Sequence, residues 1–304
     1  MYSKILIPLD GSKTAENVLP FARCFARSLQ IPVELMAVVD MTEVGRNVSA
    51  AENLFLDSLM DDEARRYRNY LETVAKNFPL GSAQCTVKKG KAADVIIEST
   101  TGEKETLIAM ATHGRSSIGR FLLGSVAEKV LRGASNPLLL VRATEKTPPP
   151  WDMPALKSIV VPLDGSELAE SVLPSVEELA KKLDLEVTLL AIYGVPYSAS
   201  SAGEGLYSTT RIEAFTARLR TETLEYLEKK AAELKGKGVD KVSFVAKEGL
   251  AADEIISTAH RTSDNLIAMC TRGRAGVTRW LLGSVTETIV RHSGEPVLVV
   301  RARS

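Results

Sequence analysis

The sequence predicts an α/β protein built as two tandem open parallel five-stranded sheets with helices on both faces. Two observations carry this. Short apolar runs alternate with stretches of helical periodicity, and the runs lack the polar alternation of a sheet with one wet face, so the strands run parallel and are covered on both sides. The pattern also occurs twice. Ile5-Leu-Ile-Pro-Leu-Asp-Gly-Ser12 returns as Ile159-Val-Val-Pro-Leu-Asp-Gly-Ser166, Gly90-Lys-Ala-Ala-Asp94 as Gly249-Leu-Ala-Ala-Asp253, and Asn136–Arg142 as Glu295–Arg301. The early pair is offset by 154 residues and the later pairs by 159, which places a net five-residue insertion in the second copy between Ile192 and Gly249.

Each element follows in order. Ile5 to Leu9 reads as the first strand, and Ala15 to Leu29 as a helix with apolar residues at helical spacing. Val33 to Val39 is a second buried strand, Asp61 to Phe78 a charged amphipathic helix, and Ala83 to Lys88 a third strand. A helix over Ala92 to Ser99, a fourth strand over Thr106 to Ala111, a helix over Ser125 to Arg132 and a fifth strand over Pro137 to Val141 complete the copy. The second copy repeats the order. The segment from Thr144 to Pro154 combines three consecutive prolines with polar residues that suit neither helix nor sheet. The expected division is therefore a first domain over residues 1–143, a semi-rigid linker over 144–156 and a second domain over 157–304. Trp151 within the linker reads as an anchor against a domain surface.

Composition bounds the function. The 304 residues, 45% of them hydrophobic, suffice for a core in each half. Lys plus Arg and Asp plus Glu balance at 38 each, so no global field draws in nucleic acid or an anionic membrane. Cys24, Cys85 and Cys270 are odd in number and lack metal-ligand spacing; they read as core or near-core thiols in a reducing compartment. No signal-peptide pattern or membrane-length apolar run is present, and a cytoplasmic protein is expected.

In open parallel sheets the ligand crevice lies beyond the carboxyl ends of the strands, where the strand order reverses. Asp10 and Asp164 follow the first strand, and Gly-rich segments follow the fourth; they meet only if those two strands are neighbours. Gly114 and Gly273 suit a turn that points backbone N–H groups inward, and Gly124-Ser125 and Gly283-Ser284 open the next helix, where anions are favoured. Ser125 with Glu128, and Ser284 with Glu287, spell a capping box. The plainer reading of these glycines is a tight connection, and that of Asp10 and Asp164, with nearby Ser12 and Ser166, is helix capping. Arg115 and Arg274 follow the loop glycines and match phosphate geometry; Arg120 and Arg279 read as solvated charges. His113 is replaced by Arg272 in the second copy, so it is a poor general base.

These motifs resemble the universal stress proteins in their tandem form, whose ATP signature is Gly, two residues, Gly, nine residues, then Gly with Ser or Thr. Gly114 with Gly124-Ser125 and Gly273 with Gly283-Ser284 match its second part, while Ala111 and Cys270 stand at the first glycine. The resemblance implies a Rossmann-like fold of the adenine nucleotide alpha hydrolase type. It places adenine near Asp10 and Val38 in one copy and Asp164 and Ile192 in the other. By position it extends to Pro8, Leu9, Thr112 and Val126, and to Pro162, Leu163, Thr271 and Val285. ATP is the implied ligand, with magnesium or manganese carried on its phosphates.

No Gly-Lys-Ser/Thr ending of a Walker loop is present, so no lysine is placed for efficient phosphoryl transfer, and at most slow hydrolysis is expected. The last strands, Leu138–Val141 and Val297–Val300, are apolar edges that must be paired or covered. The resemblance implies that they pair as an intramolecular pseudo-dimer, with association of two chains as a further expectation; the plainer alternative keeps each strand inside its own sheet. The functional expectation is an ATP-binding stress-response protein whose nucleotide occupancy orders the Gly-rich loops and lid segments at about 41–61 and 195–210. The alternatives are a nucleotide-independent scaffold and a slow ATPase.

Overall fold

β1 (Lys4–Pro8) opens the first half, followed by a 3-10 turn (Ala15–Val18), α1 (Leu19–Leu29), β2 (Val33–Val39), α2 (Leu56–Ala75), β3 (Ala83–Lys89), α3 (Ala92–Thr100), β4 (Thr106–Ala111), α4 (Ser125–Gly133) and β5 (Leu138–Val141). The second half runs β6 (Ser158–Pro162), α5 (Glu167–Glu170), α6 (Leu173–Leu183), β7 (Glu186–Tyr193), α7 (Thr209–Gly236), β8 (Val242–Glu248), α8 (Ala251–Arg261), β9 (Asn265–Thr271), α9 (Ser284–His292) and β10 (Val297–Arg301). The structure, a computed structural model, describes residues 2–40, 56–79, 81–112, 123–142, 144, 147–194, 209–261, 264–271 and 283–302.

Among the described residues, ten strands form one sheet in the order β3-β2-β1-β4-β5-β10-β9-β6-β7-β8. Within each half all pairings are parallel, and the halves meet where β10 lies antiparallel to β5, with Leu298 opposite Leu139. Two five-stranded sheets are thus joined edge to edge. The join removes from water the two apolar edges that the sequence leaves unpaired within each copy; both strands are buried along their whole length.

Alternation along the strands splits the core into two layers. Ile5, Ile7 and Leu35 pack with α1 and α2 residues such as Phe25 and Leu71, in a cluster that continues through Val176 of α6 and Leu227 of α7. Leu6, Met36 and Ile108 face the other side with Ile96 of α3, Val130 of α4, Ile255 of α8 and Ile289 of α9.

The helix expected from Ala15 starts instead as a 3-10 turn and becomes α-helical at Leu19, where Pro20 fits the first turn because its missing N–H would have had no partner there. The helix expected at Asp61 begins at Leu56 and ends at Ala75. The five-residue insertion is split. Tyr70 Oη donates to Glu16 Oε1 (2.9 Å) and Tyr226 Oη to Glu170 Oε1 (3.0 Å), so α2 and α7 correspond at an offset of 156; the remaining three residues fall after this pair, where α7 runs on to Gly236 and the turn to β8 is shorter than that between α2 and β3. Cys24 is buried and Cys270 half-buried, but Cys85 is exposed on β3, the rim strand among the described residues.

The seam is held by reciprocal contacts. Arg142, just past β5, donates to the carbonyl of Arg291 in the last turn of α9, and Arg301 of β10 donates to the carbonyl of Leu131 in the last turn of α4. Each cation thereby meets the negative end of the other half's helix. Arg301 is only 8% exposed, and that burial pushes its pKa down to about 10. Nearby, Arg132 pairs with Glu287 (3.6 Å) and Arg291 with Glu128 (3.7 Å) across the seam. Trp151 carries the anchoring role read from the sequence: its carbonyl accepts from Arg23 of α1 (2.6 Å), whose guanidinium lies 5.8 Å from the indole centre.

Candidate functional site

A cleft of about 390 Å³ opens at the carboxyl ends of β1, β2 and β4, against the N-terminus of α4. Its location follows from connectivity. β1 pairs with β2 on one side and β4 on the other, so the strand order reverses between β1 and β4, and the loops leaving these strands diverge to leave a crevice. The neighbour relation on which the site depends is therefore met.

The rim begins with a tight turn. Gly11 sits at φ 77°, and Asp10 Oδ1 accepts from the Ser12 N–H (2.9 Å), which holds the carboxylate at the mouth. Ser12 Oγ accepts from the Ala15 N–H (3.1 Å), so helix capping falls to the serine and the aspartate shapes the turn. The second copy repeats this geometry: Gly165 has φ 83°, Asp164 Oδ1 accepts from the Ser166 N–H (3.0 Å), and Ser166 Oγ caps Ala169 (3.1 Å).

The opposite wall is α4. The Gly124 N–H donates to the Thr112 carbonyl (2.8 Å), which pins the start of the helix to the end of β4. The expected capping boxes do not form. Gly124 and Gly283 take the N-cap positions in extended conformation without a side-chain cap, and their carbonyls accept from Glu128 and Glu287 at 2.8 and 3.0 Å. Ser125 and Ser284 then lie one position inside the helix. The glutamates turn away to Arg132 (3.1 Å) and Arg291 (2.9 Å) and across the seam. The first N–H groups of α4 thus lie at the cleft mouth with no side-chain cap among the described residues, an environment that favours an anion.

The structure gathers Pro8, Leu9, Asp10, Val38, Ala111, Thr112, Gly124, Ser125 and Val126 around this one cleft. In the second half Pro162, Leu163, Asp164, Ile192, Cys270 and Thr271 occupy the corresponding strand ends, and Gly283, Ser284 and Val285 begin α9. Gly114, Arg115, Gly273 and Arg274 lie outside the described residues, as do most of the two lid segments. Sequence reading missed Met36, Asp40, Tyr67, Lys91, Ile96, Met110 and Lys129, which also line the cleft. Lys91 carried a signal, since it stands inside the repeated Gly90-to-Asp94 motif. Tyr67, whose Oη lies 3.5 Å from the Asp10 carbonyl, carried only helical phase with Tyr70.

The second copy differs at its base. Cys270 Sγ lies 2.9 Å from Ser171 Oγ, and burial pushes the thiol pKa up. Thr271 is 3% exposed and its Oγ1 has no hydrogen-bond partner among the described residues. Among these residues no group of three or more His, Cys, Asp or Glu converges to hold a metal, and no helix is long and apolar enough to cross a membrane.

Comparison with known proteins agrees with this geometry. The model of the universal stress protein family matches residues 1–142 and again 155–301. The chain belongs to the universal stress protein family. A universal stress protein of Mycolicibacterium smegmatis is 22% identical over 307 residues, covering 98% of this chain and 97% of its own. A shorter one from Thermus aquaticus is 43% identical over 142 residues, which is 47% of this chain and all of that protein. Among solved structures, a universal stress protein from Archaeoglobus fulgidus superposes with a TM-score of 0.70 at 21% identity, covering 98% of both chains. The tandem universal stress protein architecture therefore extends over nearly the whole chain.

Proposed function

We propose that this universal stress protein binds adenine nucleotide, ATP foremost, in the cleft of the first copy and at the corresponding place in the second, and that occupancy regulates its conformation or a partner surface. The observation that carries the reading is the convergence, at one switch point, of a turn-held carboxylate, an apolar floor and a helix N-terminus that no side chain caps among the described residues. Asp10 accepts from the adenine exocyclic amine, Val38, Met36 and Met110 pack against the purine, and the start of α4 receives phosphate oxygens. A magnesium or manganese ion rides on the phosphates, since no protein ligand set for it converges among the described residues. The two functional units are residues 1–143 and 157–304, the linker is 144–156, and the setting is the cytoplasm.

A nucleotide-independent scaffold is the second reading. It is favoured by Cys270, whose side chain stands where the family's ATP signature has glycine. Titration of nucleotide-stripped protein with magnesium ATP in a calorimeter separates the two. Saturable heat with one or two equivalents per chain supports the nucleotide reading. No heat, and no rise in melting temperature at millimolar ATP, overturns it in favour of the scaffold.

A further inference from the structure

The two copies keep the same backbone turn and the same helix start but differ in the charge of the rim. The end of β3 and the turn after it read Lys88-Lys89-Gly90-Lys91, whereas the end of β8 and its turn read Lys247-Glu248-Gly249-Leu250. Lys91 lines the first cleft, and Lys129 of α4 lines it from the facing helix, where it also pairs with Asp94 (3.2 Å). At the matching positions the second copy has Leu250, which is 73% exposed, and Thr288, whose hydroxyl donates to the Ser284 carbonyl (2.9 Å) within its own helix. Asp253 is kept at the position of Asp94 while Thr288 stands at that of Lys129, so the second copy retains the anion of this pair and lacks the cation. Lys247 reaches Glu254 (3.1 Å), a residue that replaces Val95, and is thereby neutralised locally. Asp40 offsets part of the first cleft's charge and is replaced by Gly194; even so, among the described residues the first rim holds two ammonium groups and the matching positions of the second hold none.

A triphosphate brings up to four negative charges to the mouth of the cleft, and lysines there attract them in proportion to charge, whereas the purine pocket does not sense phosphate number. The second copy has nevertheless kept ligand-facing chemistry. The turn of Asp164 is intact, and the buried Thr271 hydroxyl has no partner among the described residues, a state that buried polar atoms seldom keep unless a ligand or water completes them.

We infer that the two sites differ in how they select by ligand charge: the first copy prefers a nucleoside triphosphate over a monophosphate, and the second discriminates little between them. Lys91 and Lys129 are the specificity-determining residues of the first site, and Leu250 and Thr288 those of the second. The inference rests on the nucleotide reading above, and its failure is distinguishable from the failure of that reading.

The test labels the full chain with photoreactive azido-adenine analogues of ATP and AMP and maps the labelled peptides, so that each site is read separately. Wild type is expected to prefer the triphosphate by about tenfold or more at the first site and by under about threefold at the second, since each exposed lysine contributes a few-fold. The double variant Lys91→Leu with Lys129→Thr removes the first site's preference, because ATP labelling falls further than AMP labelling in keeping with its larger charge. The reverse pair, Leu250→Lys with Thr288→Lys, creates a preference at the second site. All four positions are at least partly exposed, so the fold is preserved. Equal triphosphate preference at both sites, the result expected if Arg272 at the position of His113 supplies the missing charge, overturns the inference and leaves the nucleotide reading standing. Labelling of the first site with none of either analogue at the second overturns it too. No labelling at either site overturns both.

Discussion

The first and second clefts are built on one backbone and finished with different side chains. In both, a leucine-aspartate-glycine-serine turn leaves the first strand, with the glycine at φ 77° or 83°, a region in which a side chain would be strained. In both, a glycine in extended conformation caps the helix that follows the fourth strand. Around this shared frame the first copy places Tyr67 beside the aspartate and two lysines at the rim; at an offset of 156 the second has Thr223, and its Asp164 is exposed where Asp10 is half-buried. The backbone of the site is thus constrained by turn geometry and helix termination. The rim is free to diverge because its side chains project into solvent and support nothing beneath them.

The equivalence of the halves can be broken, or sharpened, at paired positions. The largest effect is expected at the seam core. Leu139→Ala and Leu298→Ala each remove a fully buried side chain at directly opposed positions, and each should cost about 3 kcal/mol in urea unfolding. Costs that differ by more than about 1 kcal/mol would show that the two halves do not share the seam equally.

Next come the two seam arginines. Arg301→Met orphans the Leu131 carbonyl inside a buried contact and should cost about 2 kcal/mol, while Arg142→Met, at a half-buried position, should cost about 1 kcal/mol. Equal losses would mean that the burial difference between them does not matter energetically.

The paired tyrosines offer a test against pH. Burial and the acceptor Glu170 raise the pKa of Tyr226 above its usual value of 10.0. The folded state therefore favours the neutral phenol more than the unfolded state does, and this stabilisation is complete below pH 10 and is lost as pH rises from there through the raised folded pKa. Tyr226→Phe should cost about 1 kcal/mol at pH 7, with the gap from wild type narrowing above pH 10. A gap that stays constant up to pH 11 would show that the phenol titrates normally. The smallest effect is expected for the cross-seam ion pairs: a double-mutant cycle on Arg132 and Glu287, both partly exposed, should give a coupling under about 1 kcal/mol that fades with added salt.

Much of this is legible in the sequence alone. The strand spans at Val33–Val39 and Thr106–Ala111 match the structure residue for residue, because buried parallel strands are bounded by abrupt loss of apolar character. The aspartate turn and the helix-opening glycines were found because they recur at fixed spacing. The capping boxes were misread: a Ser-x-x-Glu string specifies a box only if the serine is the N-cap, and the preceding glycine took that place while Arg132 and Arg291 drew the glutamates away. Lys129 and Tyr67 were invisible as cleft residues, since helical phase shows which face is buried but not which neighbouring strand end that face meets.

The sequence by itself determined the duplicated α/β unit, the order of its elements and the chemical type of its turns, because these depend on local periodicity and on glycine and proline geometry. Tertiary structure decided that β5 and β10 close one ten-stranded sheet, that each half's arginine ends on the other half's helix, and which charges reach each cleft. Those outcomes turn on which buried edges and helix ends face one another across a distance of some 150 residues, and short-range pattern carries no record of that.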